Sequence, residues 1–122
     1  MQSPTDQLVI LITRGIESEL SSVAFTVANG GLTAGLRVSI FLTSTAIDLV
    51  RRGGQRMTRV APLDALDALI ADFQARGGVI WACPPCVESR GYTQADLIDG
   101  VTITGSSAVH ARIKDGAATL SF

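Results

Sequence analysis

Cys83 and Cys86 are the only cysteines in the chain, and Pro84 and Pro85 separate them. Cys83 directly follows the apolar run Val79-Ile80-Trp81-Ala82, which reads as a buried strand. Proline carries no backbone N–H and suits the first turn of a helix, where that donor would be orphaned anyway. A short helical turn beginning after Cys83 therefore puts its sulfur near a helix start. Free N–H groups and the local dipole there favour the thiolate. Arg90 adds positive charge nearby and Glu88 opposes it.

Four readings of this pair stand side by side. Both thiols can be small core residues without chemistry. They can contribute to a zinc site, but a closed site needs four ligands and the chain offers only one histidine, His110. Two chains would have to share such an ion, and His110 reads instead as a surface or partly buried helix residue. The spacing also permits an internal disulfide and hence thiol–disulfide exchange. Finally, one thiolate can take up sulfane sulfur as a persulfide while the second helps release it. The chemistry of the motif does not separate the last two.

The elements that must position this loop alternate in type. Leu8–Ile12 and Val38–Leu42 repeat the apolar strand pattern. Between them a helix is expected from about Glu17 to Ala34, weakened toward its end by Gly30, Gly31 and Gly35. Thr43, Ser44 and Thr45 are candidate caps for a short helix through Ala46, Ile47, Leu49 and Val50. After Gly53-Gly54 the stretch to Ala61 reads as loop, and Pro62 is expected to open an amphipathic helix through Leu63, Leu66, Leu69, Ile70 and Phe73. Beyond the cysteines, a short helix over Gln94–Ile98 capped by Thr93, a strand Val101–Thr104, a helix Ser107–Lys114 and a strand Ala118–Phe122 complete the order. This alternation predicts an α/β fold, a single domain over residues 1–122, with a mostly parallel sheet between helices on both faces. Ligands of such sheets gather outside the carboxyl ends of the strands. Residues 13–18, 43–45 and 83–91 fall there.

Composition narrows the setting. The net charge is −1 and no basic run appears, so nucleic acid is not an expected partner. Arg51, Arg52, Arg56 and Arg59 form the densest cationic patch and read as a solvated helix end and loop. No apolar run reaches the ~18 residues of a membrane span, and no secretory signal is visible. A cytoplasmic protein is the expectation, with both cysteines reduced at rest. Charged residues are 17% of the chain, few for a soluble monomer, which hints at a homo-oligomer covering apolar surface.

The run Ile80-Trp81-Ala82-Cys83-Pro84-Pro85-Cys86, then Arg90-Gly91-Tyr92, then Asp96-Leu97-Ile98-Asp99-Gly100-Val101, resembles the DsrE/DsrF-like family, in a branch that carries Cys-Pro-Pro-Cys. The ending Ile113-Lys114-Asp115-Gly116-Ala117-Ala118-Thr119-Leu120-Ser121-Phe122 is similar too. The resemblance covers essentially the whole chain. It implies parallel strands with helices on both sides, and association into trimers or hexamers. It also implies a sulfur carrier, or sulfurtransferase-like relay protein, that exchanges sulfane sulfur with donor and acceptor proteins through a cysteine persulfide. The carrying residue by position is Cys83 or Cys86. Cys83 is preferred because it ends the strand, with Cys86 as a resolving or second carrier thiol. No cofactor and no bound metal are called for. A thiol–disulfide redox protein and a non-catalytic oligomeric binding module are the alternatives.

Weaker candidates lie at the same edge. Thr13, Arg14 and Gly15 follow the first strand, where backbone N–H groups can receive an anion such as thiosulfate, sulfite or a persulfide. An ordinary strand-to-helix turn is the favoured reading of those residues. Arg90 can add charge to such a site, and Tyr92 can hydrogen-bond near the cysteine loop or simply cover it. Trp81 and Phe41 are expected in the core or at a subunit contact.

Overall fold

The computed structural model describes residues 5–54 and 58–122. Arg56 of the cationic patch lies outside them. Five parallel strands form one sheet in the order β4-β3-β2-β1-β5: β1 (Gln7–Ile12), β2 (Arg37–Leu42), β3 (Val79–Ala82), β4 (Val101–Ile103) and β5 (Ala118–Ser121). The helices are α1 (Glu19–Thr33), α2 (Leu66–Ala75), α3 (Pro84–Ser89) and α4 (Ser107–Lys114), with two 3₁₀ segments, Ser44–Val50 and Gln94–Asp96. The expected α/β architecture is present, and every strand is parallel to its neighbours.

Side chains alternate across each strand, so the sheet has two different faces. Leu8, Ile10 and Ile12 of β1 meet Val38, Ile40 and Leu42 of β2 and Ile80 and Ala82 of β3 in one buried cluster. Helices α1 and α2 cover it with Phe25, Ala28, Leu69, Ile70 and Phe73. The Phe25 and Phe73 rings meet edge to face at 5.9 Å between centroids. On the opposite face Leu11, Phe41 and Trp81 sit in register. Phe41 and Trp81 are buried there, and the Arg112 guanidinium of α4 lies 5.7 Å from the Trp81 ring centroid. That face is thinly covered, because α4 has only eight residues and buries none of them fully.

Local departures from the expected elements have local causes. Helix α1 starts two residues late because Ser18 Oγ accepts the Leu20 N–H and caps it there. Pro62 does not open α2. The Leu66 N–H reaches back to the Thr58 carbonyl, Arg59 and Ala65 form an antiparallel bridge, and Leu63 N–H closes a turn on Val60 O. The chain before Leu66 is thus folded on itself, and the helix begins only after this closure. The segment Ser44–Val50 is 3₁₀ rather than α, and Thr43 before it makes no side-chain cap. The turn after Thr93 covers only Gln94–Asp96, with the Asp96 carboxylate accepting the Thr93 N–H at 2.8 Å.

Candidate functional site

Strands β1, β2 and β3 end side by side, so the segments that follow them share one edge of the sheet. The expected meeting of residues 13–18, 43–45 and 83–91 is therefore realised. Thr45 Oγ1 donates to the Thr13 carbonyl at 3.2 Å, and Ser44 N–H donates to Cys86 Sγ at 3.3 Å. The Cys83 N–H closes on Leu42 O at 3.0 Å, which ties the cysteine loop to the end of β2.

Helix α3 follows directly on β3, with Cys83 at its N-cap and Pro84 and Pro85 in its first two positions. The expectation for Cys83 changes here. A helix start ordinarily offers several free N–H groups to a sulfur at the N-cap, but two prolines remove the first two of them. The Val87 N–H is engaged with the Cys83 carbonyl at 3.0 Å. Burial pushes the Cys83 thiol up; the Cys86 N–H acts against that, while a hydrogen bond to the Cys86 sulfur and its charge push the thiol up further. Cys86, at the third helical position, is half-buried against the core and takes the Ser44 N–H. Ser44 holds a left-handed φ of 53°, uncommon for a residue with a side chain. Strained backbone of this kind concentrates at working sites.

The other candidates are placed unevenly. Thr13 spends both its N–H and its hydroxyl on the Phe122 carbonyl, at 2.9 and 3.0 Å, so neither is free for an anion. Ser21 Oγ donates to the carbonyls of Arg14 and Gly15, and Gly15 is packed so closely on Thr45 that a Cβ would lie 2.9 Å from the Thr45 carbonyl oxygen. This stretch behaves as a strand-to-helix turn. Arg90 Nε lies 4.0 Å from Asp48 Oδ2, and its Nη1 3.5 Å from the Cys86 carbonyl. Tyr92 donates its hydroxyl to Asp48 Oδ1 at 2.6 Å, under the Arg51 guanidinium at 5.1 Å from the ring centroid. That bond raises the Tyr92 phenol above its ordinary range, and desolvation adds to the effect. Arg52 pairs with Asp99 at 2.7 Å.

His110 lies on α4, its Nδ1 2.8 Å from the Ser106 carbonyl. Among the described residues no three His, Cys, Asp or Glu side chains come together, and no helix is long and apolar enough to cross a membrane. Two contributors escaped the sequence reading, the Ser44 N–H and the Asp48 carboxylate. The sequence places Ser44 at the functional edge and as a candidate cap, without a link to Cys86, and Asp48 beside the arginine patch. The signal that finds them is the adjacency of β2 and β3, because it brings Ser44–Val50 against α3.

Comparison with known proteins agrees with this architecture. Residues 6–122 match the DsrE/DsrF-like family, and the chain belongs to that family. An uncharacterized protein of Methanocaldococcus jannaschii, MJ0760, is 28% identical over 102 residues, covering 83% of this chain and 37% of that protein. The chain thus spans little more than a third of that relative. The solved structure of MTH1491 from Methanobacterium thermoautotrophicum, a protein of unknown function, superposes with a TM-score of 0.74 at 17% identity, over 95% of this chain and 98% of that one. The ychN protein of E. coli gives a TM-score of 0.72 at 22% identity, over 97% and 100%. At these identities the likeness is one of fold.

Proposed function

We propose that the chain is a sulfur carrier of the Cys-Pro-Pro-Cys type, holding sulfane sulfur as a persulfide on Cys86 and passing it between donor and acceptor proteins. Family membership is consistent with a sulfur-relay role. The observation that carries the assignment is the Ser44 N–H aimed at Cys86 Sγ from 3.3 Å. A fixed N–H donor favours a sulfur anion, both the attacking thiolate and the persulfide anion that follows. The order of roles is the reverse of that taken from the sequence. Burial raises the Cys83 thiol, and Cys83 takes the part of the second thiol in this reading.

Loading is redox-neutral. The Cys86 thiolate attacks the outer sulfur of a donor persulfide, a new S–S bond forms, and the old S–S bond breaks with its electron pair leaving on the donor thiolate. Delivery repeats the exchange with an acceptor thiolate. The partly exposed cysteines, at an edge open to solvent, suit access by another protein.

We read the chain as a cytoplasmic homo-oligomer, a trimer or hexamer, with a second copy covering the α4 face. A groove of about 510 Å³ there is lined by Val9, Leu11, Val109 and Ile113 beside β5. Every residue of β5 is exposed, and among the described residues its outer edge is unpaired.

Intact-protein mass spectrometry tests the carrier. Reduced protein is incubated with polysulfide or thiosulfate beside Cys83→Ser and Cys86→Ser. Gain of whole sulfur atoms, reversed by reductant, lost in Cys86→Ser and kept in Cys83→Ser, is the expected result. Uptake that follows Cys83 instead returns the carrier role to that thiol. Loss of two hydrogens without sulfur gain supports thiol–disulfide exchange in place of carriage.

A further inference from the structure

The Ser44 N–H and the Cys86 sulfur belong to different elements, so their separation is only as fixed as the seam between the 3₁₀ segment Ser44–Val50 and α3. The seam has two ends. At one, Ser44 N–H meets Cys86 Sγ at 3.3 Å. At the other, Tyr92, two residues beyond the cap of α3, donates to Asp48 on the 3₁₀ segment at 2.6 Å. Tyr92 is itself tied to α3, because its N–H bonds the Val87 carbonyl at 3.1 Å. Its ring packs against the core. Arg90 spans the same gap, touching both the Asp48 carboxylate and the Cys86 carbonyl.

We infer that Tyr92 is a positioning residue: its hydroxyl, by holding Asp48, sets the seam at the spacing that places the Ser44 N–H on Cys86. The hydroxyl and the carboxylate bond each other, not the sulfur. A bond of 2.6 Å to an ionised acceptor is short and directional, so it fixes the seam more tightly than an apolar contact does. The charged and titratable groups that these contacts bring to the seam are Asp48 and Arg51 from the 3₁₀ side, and Cys86 of α3, its caps Cys83 and Arg90, and Tyr92 from the other. Arg90 lies beside the Asp48 carboxylate at 4.0 Å and Arg51 over the Tyr92 ring at 5.1 Å, and the charge of each works against the rise that the Asp48 bond gives the phenol.

The inference rests on the role given to Cys86, and its test does not need sulfur. Cys86 alkylation is followed against pH in Cys83→Ser, where one thiol remains, and by fragment mass in the two-cysteine chain. Tyr92→Phe keeps the ring and removes only the hydroxyl. It is expected to slow Cys86 alkylation near neutral pH about threefold or more, to move the pH midpoint upward, and to leave the rate at high pH unchanged. Asp48→Asn is expected to act in the same direction, and Tyr92→Phe with Asp48→Asn to add little to either alone. A midpoint that stays in place in both single variants overturns the inference, whatever happens to their melting temperatures. A shifted midpoint in a protein that takes up no sulfur leaves the positioning role standing and removes the carrier reading alone.

Discussion

At the scale of single residues, the two thiols are made unequal by what the backbone denies one and gives the other. Pro84 and Pro85 remove two donors beside Cys83 and leave it the Cys86 N–H against the burial that raises its thiol, while Ser44 supplies a donor from another element to Cys86. In the wild-type protein the pH midpoint for alkylation of Cys83 by iodoacetamide should therefore lie above that of an ordinary thiol. In Cys86→Ser the hydrogen bond and charge of its neighbour are gone, and its profile should fall back toward the ordinary thiol range while burial keeps part of the rise. Peptide mapping of the alkylated protein across pH reads both shifts. Tyr92 adds a stability consequence. Its folded pKa is raised, so the Asp48 bond contributes fully below the ordinary phenol range, and the contribution is lost as pH climbs through the raised value. Urea midpoints measured from neutral to strongly alkaline pH should fall more steeply for wild type than for Tyr92→Phe.

At the scale of elements, helix α1 shows how two adjacent glycines do different things. Gly30 is exposed, and a Cβ there meets nothing within 4 Å. Gly31 lies against the sheet, where a Cβ would come 3.0 Å from Val38 Cγ2 and 3.2 Å from Leu8 Cδ2. Gly30→Ala should stabilise the protein by about 0.5–1 kcal/mol through helix propensity. Gly31→Ala gains the same propensity but must displace Val38 and Leu8, so its melting temperature should lie below that of Gly30→Ala. Thermal unfolding of the pair decides it, and equal gains would show that the sheet yields freely. The sequence reading took the two glycines together as weakening the helix, because propensity is local and close approach is not.

The same division explains what else was legible. Strand β3, helix α4 and the helix start at Cys83 follow from local patterns, and they stand where the pattern put them. Pro62 misled, because a proline that can begin a helix can also turn a loop, and the bridge between Arg59 and Ala65 decided for the loop. At the site, the cysteines were visible as residue types, but the Ser44–Cys86 contact joins positions 42 residues apart and depends on which strands are neighbours.

At the scale of the molecule, the two faces of the sheet are unequally served. Two long helices close one, and a single short helix leaves Ile113 44% exposed on the other. If a second copy covers the α4 face, Ile113→Lys should lower the oligomer mass in sedimentation velocity while circular dichroism stays unchanged. Unchanged mass in that variant would place the contact elsewhere.

The strand order has one more result. β1 and β5 lie side by side and parallel, with Leu8 to Leu11 opposite Ala118 to Ser121, and Phe122 N–H bonded on to the Leu11 carbonyl. A pull applied at residue 7 and residue 121 draws these strands along their length in opposite directions. The bonds between them are then loaded in shear, all at once, as in a glued lap joint. A hairpin pulled from its open end would instead yield one bond at a time, as a zip does. The mechanical strength of the fold along this axis thus resides in the seam that joins its first strand to its last.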